Sequence, residues 1–333
     1  MNAIQSVCQR TGLPLLSLSL IAVLSLSAAS AHAADAWPSK AVRIIVPYSP
    51  GGAVDVATRK IAQKLGEQTG QSFVVENKPG ATGTIGAAEA ARATPDGYTL
   101  VANDTTYSLL PFIFKKLPFD PKEDLEPVSA FLFGPMALAV NAAGPYKTLQ
   151  DLLNKAQSEP DTVTYGSGGA GTTPFFAAEG LGLAANVKFL HVPFKGAAEA
   201  TQAVLSNVID FQFSSTSGVI GNVKAGKMRL LAISGDQRLS LLPDVPTFAE
   251  AGVNYHGIVN WTGLWAPKGT PPDVLERLQK EIATAVSAPD VKTFATSMGM
   301  QPRQANAQEF KKILDDSSTT WGNVVTKINF QQH

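Results

Sequence analysis

An unbroken β-branched run, Val42-Arg43-Ile44-Ile45-Val46, stops at Pro47 and reads as a strand buried on both faces. A loop, Tyr48-Ser49-Pro50-Gly51-Gly52, follows, and from Ala53 the apolar positions Val54, Ala57, Ile61 and Leu65 recur at helical spacing until Gly66 and Gly70. The alternation continues with a strand over Ser72 to Glu76, a Pro/Gly loop from Lys78 to Gly86, a helix over Ala87 to Ala93 and a Pro95-Asp96-Gly97 turn into a strand over Tyr98 to Ala102. A polar, proline-punctuated stretch then leads to the apolar segment Val128 to Val140, interrupted at Gly134-Pro135.

A second block repeats the pattern. A helix near Leu149 to Ala156 and a strand over Val163 to Tyr165 lead to the loop Gly166-Ser167-Gly168-Gly169-Ala170-Gly171 and a helix opened by Thr172-Thr173-Pro174. Strand Phe189 to Val192, helix Glu199 to Ser206, strand Phe211 to Phe213, helix Val219 to Ala225 and strand Leu230 to Ile233 complete the block. From Trp261 the chain returns, and amphipathic helices over Pro272 to Ser287 and Gln308 to Ile328 end it. Alternating strands and helices predict an α/β protein with mostly parallel sheets. A chain that leaves one block, builds another and comes back predicts two lobes, 35–136 with 258–333 and 137–257, joined by crossing segments with a cleft between them.

The segment before this pattern has a different character. Arg10 precedes an apolar stretch from Leu13 to Ala29, and Ala31-His32-Ala33 is the small-x-small pattern a signal peptidase cuts. Residues 1–33 are therefore expected to be a signal peptide cleaved near Ala33, the run being too short and too serine-rich for an anchor. The single cysteine, Cys8, would leave with it, so the mature chain of about 300 residues would have neither disulfides nor thiolate metal sites. Charge balances at 27 basic against 27 acidic residues, which argues against a nucleic-acid partner. His191, His256 and His333 are isolated and show no metal-ligand spacing. No cofactor is implied.

Both glycine loops lie between a strand and a helix, where the first unpaired N–H groups and the macrodipole favour an anion. Together they could capture a carboxylate without Arg or Lys. Gly166, Gly168 and Gly171 formally match G-x-G-x-x-G, but the acid expected about 20 residues on is missing from Lys188-Phe189-Leu190-His191-Val192, which argues against a dinucleotide. No serine sits in G-x-S-x-G and the mature chain offers no cysteine nucleophile, so an exported hydrolase is the weaker, enzyme-class alternative.

The ordered motifs Arg43-Ile-Ile-Val-Pro47 with Pro50-Gly51-Gly52 and Asp55, Val75-Glu-Asn-Lys-Pro-Gly80, Pro95-Asp-Gly-Tyr98, His191-Val-Pro-Phe-Lys-Gly196, Lys224-Ala-Gly226, Leu242-Pro-Asp-Val-Pro-Thr-Phe-Ala-Glu-Ala-Gly252 and Ala266-Pro267 span the mature chain. By these the sequence resembles the Bug-family extracytoplasmic solute receptors of tripartite tricarboxylate transporters. The resemblance implies a two-lobed, type II-like periplasmic-binding-protein (Venus flytrap) fold, a monomer in the periplasm, and no enzymatic activity. It also implies a small carboxylate gripped between the two loops and delivered to integral-membrane subunits, one large and one small. The implied ligand-binding residues are Tyr48, Ser49, Pro50, Gly51, Gly52 and Ala53 of the first loop and Gly168, Gly169, Ala170, Gly171, Thr172 and Thr173 of the second. Asn103, Thr105, Phe175, Ser214 and Ser215 are further candidates of this sequence, beyond the two loops that the resemblance marks.

One departure bears on the ligand. Where many relatives carry an Asp, this chain reads Phe213-Ser214-Ser215-Thr216-Ser217. Hydroxyls in place of a carboxylate remove the partner of an amine and suit a second carboxylate. With Phe175, Tyr107 and Trp261 as possible walls, an aromatic diacid of the terephthalate kind is the first expectation, and a C4 or citrate-like acid the second. A ligand-sensing role beside a membrane kinase would share every one of these features.

Overall fold

The computed structural model describes residues 37–332, apart from 256; the expected signal peptide lies outside them. Residues 40–332 form one compact unit. Its first strand, β1 (Val42–Val46), lies between β2 (Phe73–Asn77) and β3 (Thr99–Asp104) and runs parallel to both. Helices α1 (Ala53–Thr69) and α2 (Thr84–Ala91) make the crossovers. The apolar face of α1 buries Val54, Ala57, Ile61 and Leu65, the spacing read from the sequence, and Gly70 closes it in the left-handed conformation at φ 72°.

Beyond β3 the sheet turns antiparallel, because β4 (Leu125–Asn141) and β9 (Val259–Pro267) enter it as crossing strands. The apolar segment expected to break at Gly134-Pro135 is one continuous strand whose partner changes there. Up to Pro135 it pairs with β9, and from Met136 it pairs with β7 (Phe211–Ser215) and β8 (Met228–Ile233). A proline has no N–H to give a ladder, so a change of partner is where a strand tolerates one. The second half is completed by β5 (Thr164–Ser167), parallel to both β6 (Leu190–Pro193) and β7. Helices α4 (Leu149–Ser158), α5 (Thr173–Ala185), α6 (Ala197–Leu205) and α7 (Thr216–Lys224) belong to this half, and a one-turn helix, α3 (Leu110–Ile113), to the first.

Three elements have no counterpart in the predicted pattern: the one-turn α3, α9 (Pro289–Ser297), which follows α8 (Pro272–Ser287) directly, and β10 (Gln301–Ala305), which pairs with β4. The strand sequence Gln301-Pro-Arg-Gln-Ala305 is polar and becomes a strand only because β4 offers it an edge.

Apolar clusters fill the unit, three of which bear on the site. One gathers Ile45, Val101, Tyr107, Trp261, Trp265 and Phe310; the largest holds Leu138, Tyr165, Phe175, Phe176, Phe211 and Trp321; the third packs Ala137, Val204, Ile209 and Val219. The last helix, α10 (Ala307–Lys327), places Phe310 in the first cluster and Trp321 in the second, so it braces both halves of the sheet. At the first of these contacts a Cβ on Gly263 of β9 would stand 2.3 Å from the Phe310 ring, which therefore requires glycine.

Candidate functional site

Among the described α-helices only two have side-chain caps at their amino ends. Capping boxes seal α4, through Thr148 and Asp151, and α10, through Asn306 and Glu309. The N-cap residues of α1, α5 and α7 are Gly52, Thr172 and Ser215, and none of them makes a side-chain cap bond. Thr172 could cap, yet its hydroxyl donates instead to the Gly169 carbonyl at 2.8 Å. Ser215 accepts from the Ser217 hydroxyl at 3.2 Å. Their first-turn N–H groups are thus left for another acceptor.

The loop before α1 is held from within by Asp55, which is 2% exposed. Its Oδ2 accepts from the Gly51 N–H at 2.9 Å, while Oδ1 accepts from Arg59 Nε at 3.0 Å and Asn77 Nδ2 at 2.8 Å. Asn77 also donates to the Tyr48 carbonyl at 3.0 Å. Burial alone would raise the Asp55 pKa, but the bonds from Arg59, Gly51 and Asn77 outweigh it and hold the carboxyl below its usual range. Paired with Arg59, the charge under the amino end of α1 is balanced, so an anion on the other side of the loop meets no net repulsion. Gly51 has φ 82° and its N–H is spent on Asp55, which leaves Gly52 and Ala53 as the backbone donors of this loop.

Tyr48 reaches the end of β3. Its hydroxyl lies 2.6 Å from Asn103 Oδ1 and 3.1 Å from Asp104 Oδ1. Asn103 is 1% exposed; its Oδ1 accepts also from the Asp104 N–H, and its Nδ2 has no partner. Asp104 lies between two residues expected at the site and is itself not among those expected. It caps the following turn by accepting from the Thr106 N–H at 2.9 Å, and burial raises its pKa. Burial also raises that of Tyr48, with the Asp104 charge adding to it.

At the crossing, α1 and α7 meet across a void of about 20 Å³, the space of one water. Ala53 stands on one side and Ser215, Thr216 and Ser217 on the other, with Asn260, Trp261 and Thr262 of β9 and Leu132 of β4 between them. No charged residue lines it. Trp261 is 2% exposed and its indole N–H is unpartnered. The Ser214 and Ser215 hydroxyls crowd the start of α7, where a Cβ on Gly218 would lie 3.0 and 3.2 Å from them.

The remaining predicted residues join less directly. Thr105 hydrogen-bonds Asn260 Oδ1, and Thr106 meets Thr173 at 3.1 Å, tying the turn after β3 to the amino end of α5. Ser49 and Pro50 are exposed on the first loop, and Gly168 to Gly171, with Thr172, form the second loop without lining the void. Phe175 is not on the wall either; its ring packs against Phe176, His191 and Phe330. Tyr107 packs on Trp265 and donates to the Pro121 carbonyl. Sequence reasoning missed Asn260, Thr262, Thr216 and Ser217 as wall residues. A signal existed for the last two, in the hydroxyl run itself; Asn260 and Thr262 lie in a strand that only its pairing brings here.

Gly166, read as the first residue of the second loop, is a strand residue. A Cβ there would stand 2.4 Å from Ile209 and 3.0 Å from Phe194, so this glycine serves the close approach of strand and neighbours and not a phosphate turn. Among the described residues no group of His, Cys, Asp and Glu could hold a metal, and no helix is long and apolar enough to cross a membrane.

Residues 57–330 match the model of the tripartite tricarboxylate transporter family receptor, TctC. Among solved structures, one described as a periplasmic transporter is 36% identical, covering 89% of this chain and 99% of that one, with a TM-score of 0.81. A protein of R. palustris, Rpa4515, solved with adipate, is 27% identical over 87% of this chain and 97% of its own, with a TM-score of 0.81. MatC from Rhodopseudomonas palustris, solved with bound malate, is 28% identical over 87% of this chain and all of its own, with a TM-score of 0.77. With this α/β periplasmic-binding-protein fold, the chain belongs to the TctC, or Bug, family of solute receptors, a family of transport receptors that bind their solutes.

Proposed function

We propose that this protein is a periplasmic receptor that captures a small dicarboxylate in the cleft between two lobes and delivers it to a membrane transporter of one large and one small subunit. The carrying observation is the chemistry of the crossing. Two helix amino ends without side-chain caps, four hydroxyl side chains and the unpartnered buried indole of Trp261 stand at a void with no cation and no carboxylate on its wall. Such a surface suits acceptors at both ends of a ligand and offers an ammonium group no carboxylate.

In this reading the lobes are 35–136 with 258–333, and 137–257, and they part to admit ligand, since a space of about 20 Å³ holds one water and not a diacid. Ligand then favours closure through its higher affinity for the closed form. Of the three aromatic side chains that first suggested a ring-bearing ligand, only Trp261 lines the void, while Phe175 and Tyr107 belong to cores. The preference therefore moves from terephthalate to an aliphatic diacid, in keeping with adipate and malate in similar proteins.

A thermal-shift screen of the mature protein with adipate, malate, citrate, terephthalate, acetate and aspartate tests this. A diacid at about 100 times its Kd should add about 2.7 kcal/mol of stability. Stabilisation by acetate or aspartate equal to that by every diacid, or by none of the panel, sinks the reading. Gly52→Pro, at a residue whose φ of −73° already suits proline, removes one backbone donor and should weaken the diacid about tenfold.

A further inference from the structure

We propose that His191 is a positioning residue that fixes the donor geometry of the Gly168–Thr173 loop through Ser167, without touching ligand. The proposal rests on the reading that this loop helps to hold an acceptor. It gives a task to the His191-Val-Pro-Phe-Lys-Gly196 motif, which the site at the crossing does not use.

His191 stands on β6, beside Tyr165 of β5 in register. Its ring lies between those of Tyr165 and Phe175, each 4.9 Å away between centroids, so its orientation is fixed by packing. The Nε2 atom is 2.7 Å from the hydroxyl of Ser167, the last residue of β5 and only 2% exposed. The same hydroxyl lies 3.0 Å from the Gly169 carbonyl and accepts from the Gly169 N–H at 3.2 Å. Gly169, at φ +111°, is therefore held at both its backbone groups by one side chain.

A hydroxyl has one proton to give and two lone pairs to share. All three contacts are satisfied together in only one arrangement. Ser167 donates to the Gly169 carbonyl and accepts from both the Gly169 N–H and an Nε2–H of His191. If Nε2 were the acceptor, it would take the Ser167 proton and the Gly169 carbonyl would lose that donor. Burial lowers the His191 pKa, so the ring is neutral at pH 7 and the tautomer, not the charge, decides the contact. The Gly169 carbonyl also accepts from the Thr172 hydroxyl at 2.8 Å, which carries the constraint to the N-cap of α5 and the donors that follow it.

The test compares wild type, His191→Leu and His191→Gln in the mature protein, with hydrogen exchange at the Gly169 amide and with adipate binding. Glutamine presents an N–H donor at the reach of Nε2; leucine keeps bulk and loses the donor. His191→Leu is expected to speed Gly169 exchange about tenfold and to speed adipate dissociation, and His191→Gln to restore both to within about twofold. Unchanged Gly169 exchange in a folded His191→Leu protein overturns the proposal, as does a glutamine variant as impaired as the leucine one. Should wild type fail to bind adipate while the exchange pattern holds, the positioning role stands and the adipate reading alone falls.

Discussion

The hydroxyl of Thr106, in the turn after β3, lies 3.1 Å from that of Thr173, in the first turn of α5, and both residues are buried. The contact joins the carboxyl end of the first half's sheet to the anion-ready end of a helix in the second. Beside it, Thr105 bonds Asn260 of the crossing strand. The two consecutive threonines thus connect both candidate subsites through one short segment.

If that connection is a true pair, its members should fail together. Thr106→Val or Thr173→Val leaves one buried hydroxyl without its partner and should cost about 1–3 kcal/mol, whereas the double variant should cost less than the sum. Chemical denaturation of all four proteins measures the coupling.

Asp55 gives a pH-dependent counterpart. Its pKa is depressed in the folded protein, so its stabilisation is complete above the unfolded carboxyl value of about 3.9 and is lost as pH falls through the lower folded value. Asp55→Asn should therefore lower stability by about 2 kcal/mol at pH 7, with the gap to wild type closing only below about pH 4. Urea midpoints across pH 2.5 to 7 read it.

Selectivity should follow the serine cluster. Ser215→Asp puts a carboxylate on the wall of the void, at an N-cap position that favours aspartate, so the fold should hold. Diacid affinity should fall at least tenfold, while aspartate or another amino acid gains. Calorimetric titration with adipate and with aspartate separates the two.

Gly166 tests the packing under the second loop. Gly166→Ala drives a methyl to 2.4 Å from Ile209 and should destabilise by about 1–3 kcal/mol. Ile209→Val alongside it should recover part of that loss, since the nearest clash is with the isoleucine Cδ1 atom, the one valine lacks. Melting temperatures of the single and double variants decide.

The sequence by itself determined the βα units and the two loops. Apolar runs and helical spacing are local, and a glycine between a strand and a helix carries its meaning in a few residues: β1 and α1 lie where their patterns put them. It also carried the family, through motifs strung along the whole chain. It could not show that Gly51 gives its N–H to Asp55 or that Gly166 belongs to a strand. Nor could it reveal β10, a polar segment made a strand by β4, or bring Asn260 and Thr262 to the wall opposite the serines. The last two depend on which segments pair at the crossing. Pairing brings together residues more than a hundred positions apart, and no local pattern encodes which backbone donors it will use up.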